Sequence, residues 1–389
     1  MSSPNKIPIW RNKKTIPWLL QLAFVLIIAA LGAFLIMNAL QGLHSIGLTL
    51  GFDFLKSTAS FMITDQLIAY TPTDSFGRAL LVGLMNTLKI AAIGIVFSGI
   101  IGTLVGIARM SDNWLLRKLA GGYIEMIRNI PLLVQIFFLY FTVFLPFPKI
   151  EQGINWLKLV YFSNRGTAIP WFDLRASWPI WLLVLAAGVG IAVWLYKSRL
   201  AVQIASGRRT YPMLWAAGLL LILIAALRLG LSEWPAALSL PSISGRLYEG
   251  GYVITSEFAA IMCGLILYHS AFIAEIVRSG IMSVPKGQIE AANALGLKKR
   301  TVMSRVILPQ ANRVAIPPAT SQFLNLVKNS TLGVAVGYTE LFSVGNTIIN
   351  QTGRAVEIIL LVASVYLIVS IIISFLMGLF NKHFQLIER

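Results

Sequence analysis

The chain has 389 residues, 57% of them hydrophobic and only 12% charged, with a mean hydropathy of +0.77. A soluble domain carries about 45–50% apolar and about 25% charged residues, which excludes an ordinary globular enzyme; the lack of charge excludes a disordered chain. The net charge of +17 would suit nucleic acid, but no basic soluble module with interleaved aromatics exists. One cysteine (Cys263) and three dispersed histidines (His44, His269, His383) exclude an internal disulfide and a clustered Cys/His metal centre. Bilayer is the solvent that suits this composition.

A membrane-crossing helix needs roughly 20 mainly apolar residues. Eight stretches meet or approach that: 17–38, 82–108, 127–147, 178–196, 212–230, 254–276, 313–336 and 356–380. The first follows a basic flank (Lys6, Arg11, Lys13, Lys14), as a signal peptide does. Its apolar run is too long and no small-residue cleavage site follows, so it reads as a retained helix. With the N-terminus cytoplasmic, 21 of the 32 Lys and Arg fall inside, nine fall outside and two (Lys89, Lys328) lie within spans. This asymmetry follows the positive-inside rule, although Lys149, Lys158, Arg165 and Arg175 sit on the wrong side.

The predicted fold is all-α, a polytopic transmembrane helical bundle of about eight spans with both termini cytoplasmic. Along the chain it reads as 1–81 (N-terminal segment, first span, outer loop), 82–147 (two spans), 148–253 (outer segment and a two-helix hairpin) and 254–389 (the remaining spans with a cytoplasmic loop at 283–310). The outer loop 39–81 is too short for a sizeable core. On the second span Gly94, Ser98, Gly102 and Gly106 recur every fourth residue, a row that lets a helix of this chain or of a partner subunit approach closely.

The loop between the sixth and seventh spans reads Ser283-Val-Pro-Lys-Gly-Gln-Ile-Glu290-Ala291-Ala292-Asn-Ala-Leu-Gly296, then Lys298 through Leu308-Pro309-Gln310. A short helix is predicted after Pro285-Lys286-Gly287, capped by Gly296; a second amphipathic segment runs from Lys298 to Leu308, where Pro309 stops it. Ala291, Ala292 and Leu295 on one flank suit a groove in a soluble partner. Lys298, Lys299, Arg300 and Arg305 equally suit an amphipathic loop lying on anionic lipid. The residues alone leave both readings open.

The string resembles the EAA loop of ABC-importer permeases: E-A-A, three residues, G, nine residues, then I-x-L-P. Here it is Glu290-Ala291-Ala292, Gly296 and Val306-Ile-Leu308-Pro309, with Val306 for the first Ile as the one departure. Gly83-Leu-Met-Asn86-Thr87-Leu88-Lys89, Tyr123-Ile-Glu125-Met-Ile-Arg128-Asn-Ile-Pro131 through Gln135, Ala274-Glu275-Ile-Val-Arg278 and Leu326-Val-Lys328-Asn329-Ser330-Thr331 extend the resemblance. They are similar to the polar amino-acid branch (histidine, glutamate, glutamine, arginine and opine permeases), and the size resembles the larger subunits of general or neutral L-amino-acid systems. The resemblance implies a type I permease core of five helices, with the first span and the 178–230 hairpin as three extra helices. It also implies that Glu290, Ala291, Ala292, Gly296, Leu308 and Pro309 form a coupling helix seated in an ATP-hydrolysing subunit. The insert 148–250 carries none of these motifs and reads as a segment for assembly.

Polar groups within spans are costly and are functional candidates. On the seventh span Gln322, Asn325 and Asn329, and Ser321, Asn325 and Lys328, lie on overlapping helix faces, with Ser330 beyond. Pro317-Pro318 would interrupt the hydrogen-bond ladder before this face and expose carbonyls to a cavity. Lys328 suits a substrate α-carboxylate; alternatively it pairs internally and orients its helix. Asn86 and Lys89 lie near the outer end of the second span, where Lys89 could instead snorkel to headgroups. Gln135 reads as pathway lining or as interhelical glue. Glu125-x-x-Arg128 and Glu275-x-x-Arg278 read as helical salt bridges or as an inner gate. His269 reads as a packed histidine and Cys263 as buried filler.

No Walker A sequence is present, so the chain is no ATPase and binds no cofactor itself; ATP and Mg belong to a partner. The expected function is the permease subunit of a binding-protein-dependent importer of polar or general L-amino acids in the bacterial plasma (inner) membrane. Its expected partners are two ATP-binding subunits, a second and different permease, a periplasmic or surface binding protein, the amino acid and membrane lipid, with no nucleic acid. The alternative, an ion-coupled secondary amino-acid transporter, needs an acid deep in a span, and Glu125 and Glu275 lie too near the cytoplasmic end. A membrane enzyme lacks any catalytic constellation.

Overall fold

The computed structural model describes residues 16–45, 51–157, 159–245 and 247–384. The basic N-terminal flank (Lys6, Arg11, Lys13, Lys14) and Lys158 lie outside the described residues. The helices are α1 (Ile16–Ser45), α2 (Phe76–Arg109), α3 (Trp114–Asn129), α4 (Leu132–Phe138), α5 (Trp178–Ser206), α6 (Pro212–Leu231), α7 (Ser256–Met282), α8 (Lys286–Ala294), α9 (Lys299–Val302), α10 (Leu308–Asn329), α11 (Leu341–Thr352) and α12 (Ala355–Phe384). Among the described residues six are long and apolar enough to cross a membrane, and two bent pairs bring the spans to as many as eight. The fold is a polytopic helical membrane fold.

The chain divides into two compact units, Met1–Met85 with Leu341–Val369, and Asn86–Glu340 with Ser370–Arg389. In the first, the segment 51–75 is more than a linker. Ala59, Ile63 and Tyr70 are buried with Phe76, Ala79, Val82, Leu341, Val344, Ile348, Ile358 and Val362. The loop thus gains its core by borrowing side chains from α2, α11 and α12. Gly83 permits this packing, since a Cβ there would stand 3.0 Å from the Leu341 backbone.

In the second unit α7 is central, with fourteen of its 27 residues buried. The small-residue row of α2 packs within this chain. Gly94 meets Leu326 of α10; a Cβ on Gly102 would stand 2.7 Å from Ile273 and 2.8 Å from the Ser270 carbonyl oxygen; one on Gly106 would stand 2.6 Å from the Ala274 carbonyl oxygen.

The predicted span 127–147 is not one helix. α3 ends before Pro131, and Leu132–Phe144 leaves it at 103°, with a π-helical turn over Leu139–Phe144. Proline lacks the N–H that would continue the ladder, and the residue before it is driven to extended backbone, as Ile130 shows (φ −101°, ψ 127°). Gln135 closes the break: its amide donates to the Ile127 (2.8 Å) and Ile130 (2.9 Å) carbonyls. It therefore caps its own helix break, a role that neither reading of the sequence included.

The all-α expectation also needs a supplement, because the described residues of the insert and its junction with α7 form eight short strands. β1 (Ile154–Trp156), β2 (Val160–Ser163), β3 (Gly166–Ile169) and β8 (Tyr252–Ile254) form an antiparallel sheet in that order. β4 (Trp171–Leu174) pairs with β5 (Ala236–Ser239), so the α5–α6 hairpin hangs from a two-stranded ribbon. β6 (Ser242–Ser244) and β7 (Leu247–Glu249) form a further antiparallel pair.

Gly106→Leu should force α2 off α7 and lower the melting temperature of the purified protein, an overpacking cost on the order of 1–3 kcal/mol. Gly190→Leu, where a Cβ meets nothing within 4 Å, should leave it unchanged. Thermal unfolding in detergent checks both.

Candidate functional site

The loop after α7 is a self-packed knob. Ile281, Val284, Ala292, Val302, Ile307 and Ala311 form its buried core. α8 ends in a Schellman arrangement: Leu297 N–H donates to the Ala292 carbonyl (3.3 Å), Gly296 N–H to that of Asn293 (2.9 Å), and Gly296 takes φ +69°. The capping glycine is where it was expected. Ala292, by contrast, faces inward, one turn from half-buried Ile289, leaving Glu290, Ala291, Ala294 and Leu295 on the outer face. Leu295 is 80% exposed.

Pro309 does not stop the second segment. α9 passes through a π-helical stretch (Met303–Ile307) directly into α10, where Pro309 sits in the first turn, the one place a helix accepts a residue without N–H. Leu308 lies at that junction, about one third exposed (36%). Pro317 and Pro318 likewise leave α10 continuous, with Thr320 Oγ1 donating to the Ile316 carbonyl just beyond them (2.9 Å).

The polar residues of α10 divide between two faces. Gln322 and Asn329 turn toward α7, where His269 is wholly buried: Asn329 Nδ2 donates to His269 Nε2 (3.2 Å), and His269 Nδ1 faces Gln322 Oε1 (3.3 Å). An amide nitrogen can only donate, so Nε2 accepts and Nδ1 carries the proton, a neutral imidazole bridging two helices. Ser321, Asn325 and Lys328 occupy the exposed face. Ser330 is buried and donates back to the Val327 carbonyl (2.7 Å).

Lys89 does not extend as a free snorkelling chain. Its ammonium lies 3.9 Å from the Phe258 ring centroid and 5.3 Å from that of Tyr252. Asn86 is buried and donates to the Thr339 carbonyl (2.8 Å). Of the two predicted acid–base pairs, Glu275–Arg278 forms, with Nη2 2.5 Å from Oε1. Glu125 pairs instead with Arg109 (3.3 Å), while Arg128 stacks over Phe272 (4.9 Å). The short turn between α2 and α3 brings Glu125 to the end of α2.

Sequence reading missed three buried carboxylates, Asp65 in the segment before α2 and two near the last spans. Glu340 accepts from Thr87 (3.5 Å), and Glu357 pairs with Arg354 (2.9 Å). Glu340 and Glu357 fall at or just beyond the apolar stretches that defined the spans, where hydropathy gives no reason to expect burial. It also missed Tyr123, whose hydroxyl reaches Ser270 Oγ (2.6 Å) and the Leu267 carbonyl (2.9 Å) on α7.

Residues 208–385, from just before α6 to α12 and including the knob, match the family model described as binding-protein-dependent transport system inner membrane component. The chain is 44% identical to a putative amino-acid ABC transporter permease protein of Escherichia coli, covering 96% of this chain and 95% of that protein. It is 42% identical to a general L-amino acid transport system permease protein of Rhizobium johnstonii (87% and 84% covered). It is 38% identical to a glutamate/glutamine/aspartate/asparagine transport system permease protein of Rhodobacter capsulatus (95% and 94% covered).

Replacing His269 alone by Leu strands two amides and should cost on the order of 1–3 kcal/mol. Adding Gln322→Leu and Asn329→Leu should recover much of that loss, because no polar group is then left unmatched. A mutant cycle in thermal unfolding reads the difference.

Proposed function

Because this chain belongs to the binding-protein-dependent transport system inner membrane components, and among them to the amino-acid ABC transporter permeases, we propose that it forms one half of a pathway for polar or general L-amino acids. It is a multi-pass membrane protein, and ATP hydrolysis resides in a separate subunit. Our finer reading pairs it with a second, different permease, two ATP-binding subunits that hold ATP and Mg, and an external binding protein, in a bacterial plasma (inner) membrane with both termini cytoplasmic.

The observation that carries this reading is the knob. A soluble-side loop with its own packed core holds its outer face rigid, and on that face Leu295 and Ala291 flank Glu290. A large exposed leucine on an ordered helix gains by entering a groove. ATP-driven closure of the ATPase pair would then displace α8, and the displacement would pass into α10.

The exposed face of α10 supports the pathway. Lysine facing lipid in a span is costly, so Lys328 requires water or another subunit opposite it. Ser321, Asn325 and Lys328 together offer donors to an α-carboxylate. The bonds of Gln322 and Asn329 to His269 favour a bracing role for those two.

Co-purification tests the coupling role: the intact protein should bring down a stoichiometric ATPase and a different permease, and Glu290→Arg and Leu295→Asp should lose the ATPase. Recovery of the chain alone, still moving amino acids in liposomes on an ion gradient, would overturn the reading. Lys328→Met should cut uptake of every substrate about 10–100-fold, the loss of one charge-assisted hydrogen bond, while leaving ATPase co-purification intact.

A further inference from the structure

At the end of α7 that enters the coupling loop lies a cavity of about 650 Å³ between α2, α3 and α7. Its floor is Gly121-Gly122 of α3, where the absence of side chains opens the space. Four cations line it, Arg109, Arg117, Lys118 and Arg278, against one carboxylate, Glu125. Glu125 engages Arg109 and Glu275 engages Arg278. Arg117 holds only the Ser111 carbonyl (3.1 Å), and Lys118 makes no ion pair among the described residues. Two positive charges therefore remain for a ligand.

The neighbourhood is apolar. Met110 and Met282 stand exposed at the cavity, and Trp114, Leu115 and Leu119 are exposed along α3. α3 is amphipathic and turns 103° from the leg that follows it, so where that leg crosses the bilayer, α3 lies near the membrane plane. Cations in a cleft between helices, beside tryptophan and leucine at interface depth, fit a phosphate with acyl chains attached.

We propose that this cavity binds the headgroup of one anionic phospholipid, with Arg117 and Lys118 on its phosphate and the acyl chains along Trp114, Leu115 and Leu119. The bound lipid bridges α3 to the end of α7 immediately before the coupling loop. It thereby makes the setting of that loop depend on the lipid composition of the leaflet.

The purified full-length protein, with the subunits that accompany it, is titrated with phosphatidylglycerol and with phosphatidylcholine of identical chains, and the first bound lipid is read by native mass spectrometry. At about a tenfold change or less per cation, phosphatidylglycerol should bind on the order of 30-fold tighter, and Arg117→Gln/Lys118→Gln should erase that preference. Gly122→Leu fills the cavity at a position where a Cβ meets nothing within 4 Å. It should abolish the first binding event with no fall in melting temperature; Gly190→Leu should change neither. Equal binding of the two lipids, or a preference that survives both the charge and the filling variants, overturns the proposal. Displacement by millimolar glycerol 3-phosphate overturns the lipid assignment and gives the cavity to a soluble phosphate.

Discussion

The arrangement of the second unit depends on how closely α2 can approach α7. At Gly102 and Gly106 the two backbones are separated by less than a methyl group would allow. In a bilayer there is no hydrophobic drive to press helices together, since lipid is as apolar as leucine, so contact must come from close van der Waals fit. That contact fixes α7, and α7 in turn receives α3 through Tyr123 and α10 through His269. The knob after α7 and the polar face of α10 inherit their positions from it.

A second constraint acts on every polar group placed among these helices. Gln135 returns donors to carbonyls left by a proline, and His269 ties two amides that would otherwise face hydrocarbon. Such internal bonds brace helices within the chain, although the Gln135 Oε1 is itself buried without a partner among the described residues. Ser321, Asn325 and Lys328 are different in kind, because they lie on a surface that has no covering helix within this chain's described residues. Function is better sought where polarity is left open than where it is merely present.

Much of this was legible in the sequence. Span length follows from composition, and Gly296 follows from the need for positive φ after α8. What was not legible depends on where neighbouring side chains go. Glu125 and Arg128 have the spacing of a helical ion pair, yet Arg109 lies closer once α2 and α3 fold together. Ala292 belongs to the same short motif as Ala291 but faces the other way, a matter of helix phase relative to a core built from residues before and after it. Pro309 and Pro317-Pro318 look like breaks because proline removes a donor, but a first turn has donors to spare and a long helix tolerates their loss. The short strands of the insert carry too little periodicity to stand out beside two strongly apolar helices.

Between the knob and the polar face of α10 the helix is continuous. Because α9, the π-helical stretch and α10 form one unbroken rod from Lys299 to Asn329, its length is about 46 Å at the usual rise per residue. It stays helical through the π-helical turns and through Pro317-Pro318, so the knob and the polar face of α10 belong to one continuous element. The left-handed glycine at position 296 sits just before it and turns the chain from α8 into the element. On the coupling role proposed above, a movement imposed on α8 would have this one continuous element as its route to Lys328.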